Sequence, residues 1–353
     1  MVRQRNPLVL QLMLSTQSGG AERFFEKLAL AFAEAGVPQC LVVEPNWERE
    51  QLLRDLPGVR LVPITFGAWK ERGARRRLRA VFEEFQPDVA LSWMNRASRR
   101  VPRGLCPVVG RLGGYYKLKH YRGFDHLVGN TPGVLDYLEA SGWSREKMSL
   151  ISNFGENPDA PRPDGRPGLR AEFGVPKDRK VLVTLGRLHP NKAQDVLIRA
   201  LGQVPGTELW IAGEGPLRRE LEALAAGCGV ADRVRFLGWW RDTSALFEAA
   251  DLCVFPSRAE PLGNVVLEAW AHGVPVVAAA SEGPSWLIDD GENGLLFPVD
   301  EVEACAVATR RLLADPELAA RCVENGSAKW KAGFSKEAVV NQYLELFGRL
   351  SAH

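Results

Sequence analysis

Short apolar runs of strand length alternate with helix-period stretches along the whole chain. In the first half, residues 7–14, 39–43, 59–63, 89–93, 108–111 and 126–129 read as strands, and residues 21–35 read as a helix ended by Gly36. In the second half, residues 180–186, 208–213, 234–238, 252–256 and 274–279 read as strands. Helices are expected between them at 193–201, 216–226 and 264–272, and three more close the chain at 301–314, 316–331 and 335–350. Strands that alternate with helical stretches imply parallel sheets with helical crossovers.

Between the halves lies Asn157-Pro-Asp-Ala-Pro-Arg-Pro-Asp-Gly-Arg-Pro-Gly168, whose proline, glycine and aspartate content reads as a linker or exposed loop. The expected fold class is therefore α/β, with two doubly wound domains in tandem: residues 1–156 joined by the C-terminal helix 335–353, and residues 168–334. Ligands of such sheets bind outside the carboxyl ends of the strands. Two sheets facing each other would form one cleft, a natural seat for a two-substrate reaction.

At 353 residues, 46% hydrophobic and 25% charged, the chain has ample material for two cores and reads as soluble and globular. Its longest apolar run, around residues 274–280, is too short to span a bilayer. Near the N-terminus, Arg3 and Arg5 precede an apolar run in the manner of a signal peptide. Gln11 interrupts that run and a glycine loop follows, so a first buried strand is expected instead. The six scattered cysteines form no Cys-x-x-Cys pair and read as reduced, buried thiols of a cytoplasmic protein. Net charge is +2 but uneven: residues 1–160 hold 23 Lys and Arg against 17 Asp and Glu, the remainder 22 against 26. A basic front half suits an anionic partner and equally suits solvated helix faces. With a pI near 8.2 and no stacking platform, nucleic acid is not an expected partner.

Candidate chemistry sits at the strand ends. In Glu260-Pro-Leu-Gly-Asn-Val-Val-Leu-Glu268, a polar loop follows a buried strand and Gly263 opens a helix. The amides of Leu262, Gly263, Asn264 and Val265 would point into the crevice with the positive end of the helix dipole behind them, an arrangement suited to a diphosphate. Glu268, one turn beyond Asn264, could accept two hydrogen bonds from a ribose diol, and Glu260 would reach the next group out. Either glutamate could equally serve only the helix dipole. Gly186-Arg-Leu-His-Pro-Asn-Lys192 places Arg187 and Lys192 around another strand-end turn, where fixed cations can neutralise a diphosphate leaving group without a metal. Ser18-Gly-Gly-Ala-Glu22, with Gly19 and Gly20, and Gly213-Glu214-Gly-Pro216 are loops where backbone can approach a ligand closely. Each could also be a plain turn.

Taken together and in this order, these motifs strongly resemble the retaining glycosyltransferases of family 4, glycosyltransferase group 1, with the GT-B architecture. The resemblance covers nearly the whole chain. It also rests on Phe236-Leu-Gly-Trp239, His272-Gly-Val-Pro-Val-Val277, Gly291-Glu-Asn-Gly-Leu-Leu296 and Ile151-Ser-Asn153. It implies that Arg187 and Lys192 hold the donor diphosphate, Glu268 the ribose and Glu260 the donor sugar, with amides 262–265 completing these contacts. Gly19 and Gly20 would approach the diphosphate from across the cleft, while Gly213, Glu214 and the loop after Gly238 would meet the nucleotide.

The implied reaction is transfer of a sugar from a nucleotide-diphosphate sugar, UDP- favoured over GDP-, to a glycan or lipid-linked acceptor in lipopolysaccharide or surface polysaccharide synthesis. It would retain anomeric configuration by an oxocarbenium-like front-face displacement, with no metal or other cofactor. One departure concerns a histidine that many members carry after the strand at 108–111. Here the loop reads Arg111-Leu-Gly-Gly-Tyr-Tyr116, with His120 further on. The basic stretch 71–82, with Arg99, Arg100 and Arg103, would dock an anionic inner membrane face, or else be a solvated amphipathic helix packed on the sheet. The other readings are a non-catalytic sugar-nucleotide binder and an epimerase or phosphorylase on the same architecture.

Overall fold

The computed structural model describes residues 5–17, 19–67, 69–155, 165–240 and 243–351, with backbone only for 165–167. The chain divides into two compact units, Met1–Asn153 with Lys336–His353, and Phe154–Ser335.

The first unit runs β1 (Val9–Met13), α1 (Gly20–Glu34), β2 (Gln39–Val43), α2 (Trp47–Leu53), β3 (Val59–Pro63), α3 (Glu71–Phe85), β4 (Val89–Trp93) and α4 (Met94–Ser98). It continues with β5 (Val108–Leu112), β6 (His126–Gly129), α5 (Pro132–Ala140) and β7 (Met148–Leu150). Its sheet has the order β3-β2-β1-β4-β5-β6-β7, with every pairing parallel.

The second unit runs α6 (Gly165–Glu172), β8 (Lys180–Leu185), α7 (Gln194–Leu201), β9 (Thr207–Ala212), α8 (Arg218–Gly227), β10 (Val234–Gly238), α9 (Thr243–Ala249) and β11 (Leu252–Phe255). Then follow α10 (Asn264–Ala271), β12 (Val276–Ala279), α11 (Glu282–Leu287), β13 (Leu295–Phe297), α12 (Val302–Ala314) and α13 (Pro316–Gly333). Its order is β10-β9-β8-β11-β12-β13, again all parallel. Both units change winding direction beside their first strand, which makes each sheet doubly wound.

Successive residues of a strand serve opposite faces. Leu182, Leu209, Ile211, Leu252, Val254 and Val277 pack under α7, α8 and α12. Their neighbours Val181, Val183, Trp210, Cys253, Phe255 and Val276 pack under α9 and α10. Because both faces are covered, these strands read as continuous apolar runs.

The first sheet differs in one respect: polar side chains lie inside it. Trp93 Nε1 donates to Gln11 Oε1 at 3.0 Å, Gln11 Nε2 to Gln39 Oε1 at 2.8 Å, and Gln39 Nε2 to the carbonyl of Ala29 in α1 at 2.9 Å. The glutamine that breaks the first apolar run thus links β4, β1, β2 and α1. The last helix, α14 (Lys336–Ser351), belongs to this unit. Tyr343 and Phe347 meet Phe32 of α1 with ring centroids 5.9 and 6.1 Å apart, and Lys336 pairs with Glu34.

Local signals place several element ends. Gly36, at φ 70°, closes α1, its amide reaching the carbonyl of Ala33. Asp315 caps α13 by accepting from the amide of Leu318 at 2.9 Å, with Pro316 at the first helical position.

Strands β7 and β13 have only three residues, too short for a periodic signal, and escaped the sequence reading. Residues 156–164 of the expected linker lie outside the described residues. The rest of it is not linker, since α6 starts at Gly165. Leu169 enters the core, and Arg170 both donates to the carbonyl of Ala249 at 2.7 Å and pairs with Asp251. Among the described residues no helix is long and apolar enough to cross a membrane. The basic stretch 71–82 lies in α3, which turns Ala74, Leu78, Val81 and Phe82 into the core and its arginines outward. All six cysteines are free, and burial pushes the thiols of Cys40, Cys106 and Cys305 up to about 12.

Replacing Gln11 by Met leaves the buried Trp93 N–H and Gln39 carbonyl oxygen without partners. At ~1–3 kcal/mol for each stranded group, the variant should lose about 2–6 kcal/mol. A urea midpoint equal to that of the unaltered chain would contradict the role given to this network.

Candidate active site

In the second unit, three strand ends are knitted together by backbone. The amide of Gly186 donates to the carbonyl of Ala212 at 2.9 Å, that of Leu188 to Glu214 at 2.9 Å, and that of Gly213 to Gly238 at 2.7 Å. Gly213 sits at φ 146°, and a Cβ there would lie 2.0 Å from the carbonyl oxygen of Gly186. Only glycine permits this approach. Glu214 is exposed at the rim, and residues 241–242, in the loop after Gly238, lie outside the described residues.

The loop from β8 turns sharply at His189, whose Nδ1 accepts from the amide of Asn191 at 3.3 Å. A single turn, Pro190–Lys192, then leads into α7. Arg187 is exposed and forms no ion pair or side-chain hydrogen bond with any described residue. Lys192 behaves differently. Its ammonium pairs with the carboxylate of Glu260, from the loop after β11, and lies 5.5 Å from the centre of the Phe255 ring. The two side chains are only 27% and 14% exposed, so the pair is partly withdrawn from water.

Glu260 is itself held from two sides. Its carbonyl accepts from the amide of Gly283 at 2.7 Å, and its Oε1 accepts from the amide of Gly263 at 3.4 Å. Gly263, at φ 88°, is the residue before α10. Its carbonyl takes the amide of Val266 at 2.9 Å, which leaves the first-turn amides of Asn264 and Val265 without intrahelical acceptors. Leu262 is buried, and a Cβ on Gly283 would come within 2.4 Å of its carbonyl. Glu268 lies one turn further on and half-buried, its carbonyl accepting from His272 Nδ1 at 2.8 Å. Cys253 on β11 records its charge: burial first, then the Glu268 carboxylate, raises that thiol's pKa.

Lys192, Glu260 and Gly263 are therefore in direct contact, while Gly213, Glu214 and Gly238 are tied through backbone to the β8 loop. Gly19 and Gly20 belong to the other unit. Gly19 precedes α1, where a Cβ would meet the carboxylate of Glu22 at 2.8 Å. Glu22 in turn is buried and accepts from the Ser15 hydroxyl at 2.6 Å.

Two features of the second unit were missed in the sequence. Arg258 spans the β8 and β11 loops, donating through Nη1 and Nη2 to Asp195 at 3.0 and 2.8 Å and to the carbonyl of Pro190 at 2.7 Å, and pairing with Asp300. The hydrogen bonds to Asp195 raise its pKa further above the ordinary arginine value. Asp195 lies sixty-odd residues away in the chain, so no local pattern links the two. The second is the start of α11, shortly after β12, where Gly283 braces Leu262 and Glu260. Its glycine and proline a few residues past a strand were the available signal.

Residues 179–315 match a family model described as glycosyl transferases group 1. The chain is 38% identical over 345 residues to the lipopolysaccharide core biosynthesis glycosyltransferase LpsE of Rhizobium meliloti, covering 94% of this chain and 96% of that one. It is 36% identical over 350 residues to LpsD of the same organism, covering 97% and 98%. A crystal structure of Anabaena Alr3699/HepE in complex with UDP superposes with a TM-score of 0.82 at 23% identity, covering 97% of this chain and all of that one. With two parallel sheets flanked by helices and relatives matched over almost its full length, the chain belongs to the group 1 glycosyltransferases and has the GT-B fold.

Proposed function

We propose that this glycosyltransferase moves a sugar, with retention of configuration, from a UDP-sugar to a glycan or lipid-linked acceptor of lipopolysaccharide core synthesis. A GDP-sugar is the alternative donor. The observation that carries this reading is the half-buried Lys192–Glu260 pair beside the amide-presenting start of α10. The names of the Rhizobium meliloti relatives and the UDP bound to the Anabaena protein support the acceptor class and the base.

In this reading Lys192 and Arg187 take the negative charge that develops as the bond from the anomeric carbon to the diphosphate breaks, helped by the amides of residues 262–265. Arrival of a diphosphate gives Lys192 a second anionic partner and frees Glu260 to accept from the hydroxyls of the donor sugar. Glu268 accepts from the ribose diol. Gly213, Glu214 and the loop after Gly238 line the nucleotide. Fixed cations and helix amides supply the charge, so no metal is required. The two glutamates recognise the donor and do not act as the flanking acid and base of a glycosidase. The enzyme works in the cytoplasm, with the exposed arginines of α3 and its neighbourhood resting on the anionic inner face of the membrane through charge alone.

Glu260→Ala and Lys192→Ala should each lower transfer, or donor hydrolysis, by about a hundredfold or more, the scale set by losing one preorganised charge-stabilising group. Wild-type turnover in both would remove these residues from the site. UDP should raise the melting temperature more than GDP or AMP does; equal shifts would leave the base unassigned. Arg258→Lys keeps the charge but loses the fork that joins the two loops. It should raise the donor KM about tenfold, and an unchanged KM would show that the clamp does not set the donor loops.

A further inference from the structure

The turn that carries Lys192 is held almost wholly through its backbone, and all five carbonyls from Arg187 to Asn191 are taken. Arg187 accepts from Gln194 Nε2 at 3.2 Å, Leu188 from the amide of Leu217 at 3.3 Å and His189 from the amide of Lys192 at 2.9 Å. Pro190 accepts from Arg258 Nη1 at 2.7 Å, and Asn191 from the Arg258 amide at 2.8 Å. Ala193 closes the turn, fully buried and at φ 51°, a conformation that costs free energy in a side-chain-bearing residue and persists only where its surroundings enforce it. The Lys192 stem runs back past the α-carbon of Gly186, where a Cβ would lie 3.4 Å from its Cδ, to the carboxylate of Glu260.

One amide of the turn depends on a side chain. The N–H of Asn191 donates to His189 Nδ1 at 3.3 Å, so the half-buried imidazole caps the turn as the oxygen of a serine or asparagine caps a helix. Only a bare Nδ1 can accept, which puts the ring proton on Nε2. Pro190 fixes its own φ and has no N–H to offer, so the amide of Asn191 is the first in the turn that needs an acceptor. Asn191 immediately precedes Lys192. Without the cap its amide would turn toward water, and the peptide that aims the lysine would be free to rotate.

We propose that His189 is the positioning residue for Lys192. Through Nδ1 and the Asn191 amide it fixes the turn from which the ammonium reaches Glu260, and it acts on the donor only through that lysine. The inference rests on the function proposed above in one respect, that the group met by Lys192 is the donor diphosphate. Its test is read from binding, without transfer.

The test is calorimetric titration of the full chain with UDP, using three substitutions at His189, alone and combined with Lys192→Ala. Asparagine carries an oxygen where the imidazole has Nδ1, glutamine carries one where it has Nε2, and leucine carries neither. His189→Asn should bind UDP within about twofold of the unaltered chain, since asparagine is among the best caps. His189→Gln and His189→Leu should each weaken UDP about fivefold, the scale of a lost cap. Lys192→Ala should weaken it about tenfold or more, and adding His189→Leu should weaken it no further, because the group being positioned is already gone. A cooperative melting transition without UDP identifies the folded variants; His189→Gln and His189→Leu remove the same bond, so either serves. Loss of affinity in His189→Asn equal to that in His189→Leu overturns the proposal. So does full affinity in His189→Gln, which makes Nε2 a direct donor contact. Additive losses in the double variant also overturn it, since a merely structural cap acts whether or not the lysine is present. Unchanged UDP affinity in Lys192→Ala alone is a different failure, which removes that lysine from the donor site and this inference with it.

Discussion

Everything in this protein follows from a sheet that must bury both of its faces. Parallel strands joined by helical crossovers carry helices above and below, so each strand is apolar on both sides and cannot host solvated chemistry along its length. Charged groups are expelled to the loops at the strand ends, where the chain leaves the sheet and helix starts offer unpaired amides. In the second unit that rule gathers the loops after β8, β9, β11 and β12 at one edge.

Within those loops, position is fixed by contacts between segments far apart in sequence. Arg258 ties the β8 loop to the β11 loop through Asp195 and the carbonyl of Pro190, while Gly283 braces Glu260 and Leu262 from the first turn of α11. Lys192 and Glu260 then meet as an ion pair 68 residues apart in the chain. A half-buried pair of this kind holds both side chains in place before any ligand arrives. It also keeps each charge compensated, since an isolated charge withdrawn from water is costly.

The first unit uses the same frame for different ends. A hydrogen-bonded line of Trp93, Gln11 and Gln39 runs through the interior of its sheet, and the end of β4 opens onto a recess lined with arginines. The basic front half seen in the charge distribution is thus two populations. Some arginines lie along the outer face of α3, whose apolar side is already occupied by the core. Others, among them Arg100, are locked inward by Glu71. The hydrogen bonds from Arg100 keep that glutamate's pKa below the ordinary carboxylate value.

By itself the sequence determined the α/β class, the parallel sheets and most of the strands, because a strand buried on both faces must be written as a continuous apolar run. Gly36, Gly263 and Asp315-Pro316 marked helix ends for reasons equally local: a positive φ, a cap oxygen, a missing amide proton. The position of Arg187, Lys192 and Glu260 in loops that follow strands was legible for the same reason, and the order of the motifs along the chain pointed to the family. Only the tertiary structure decided what each charge does. The pairing of Lys192 with Glu260, the clamp made by Arg258 and Asp195, the entry of Leu169 into the core and the role of Gln11 as a hydrogen-bonded link all depend on distant segments meeting. So does the difference between a solvated arginine on α3 and one fixed in the recess of the first unit. Periodicity reports which face a residue occupies, but it carries no information about which residue waits on the other side.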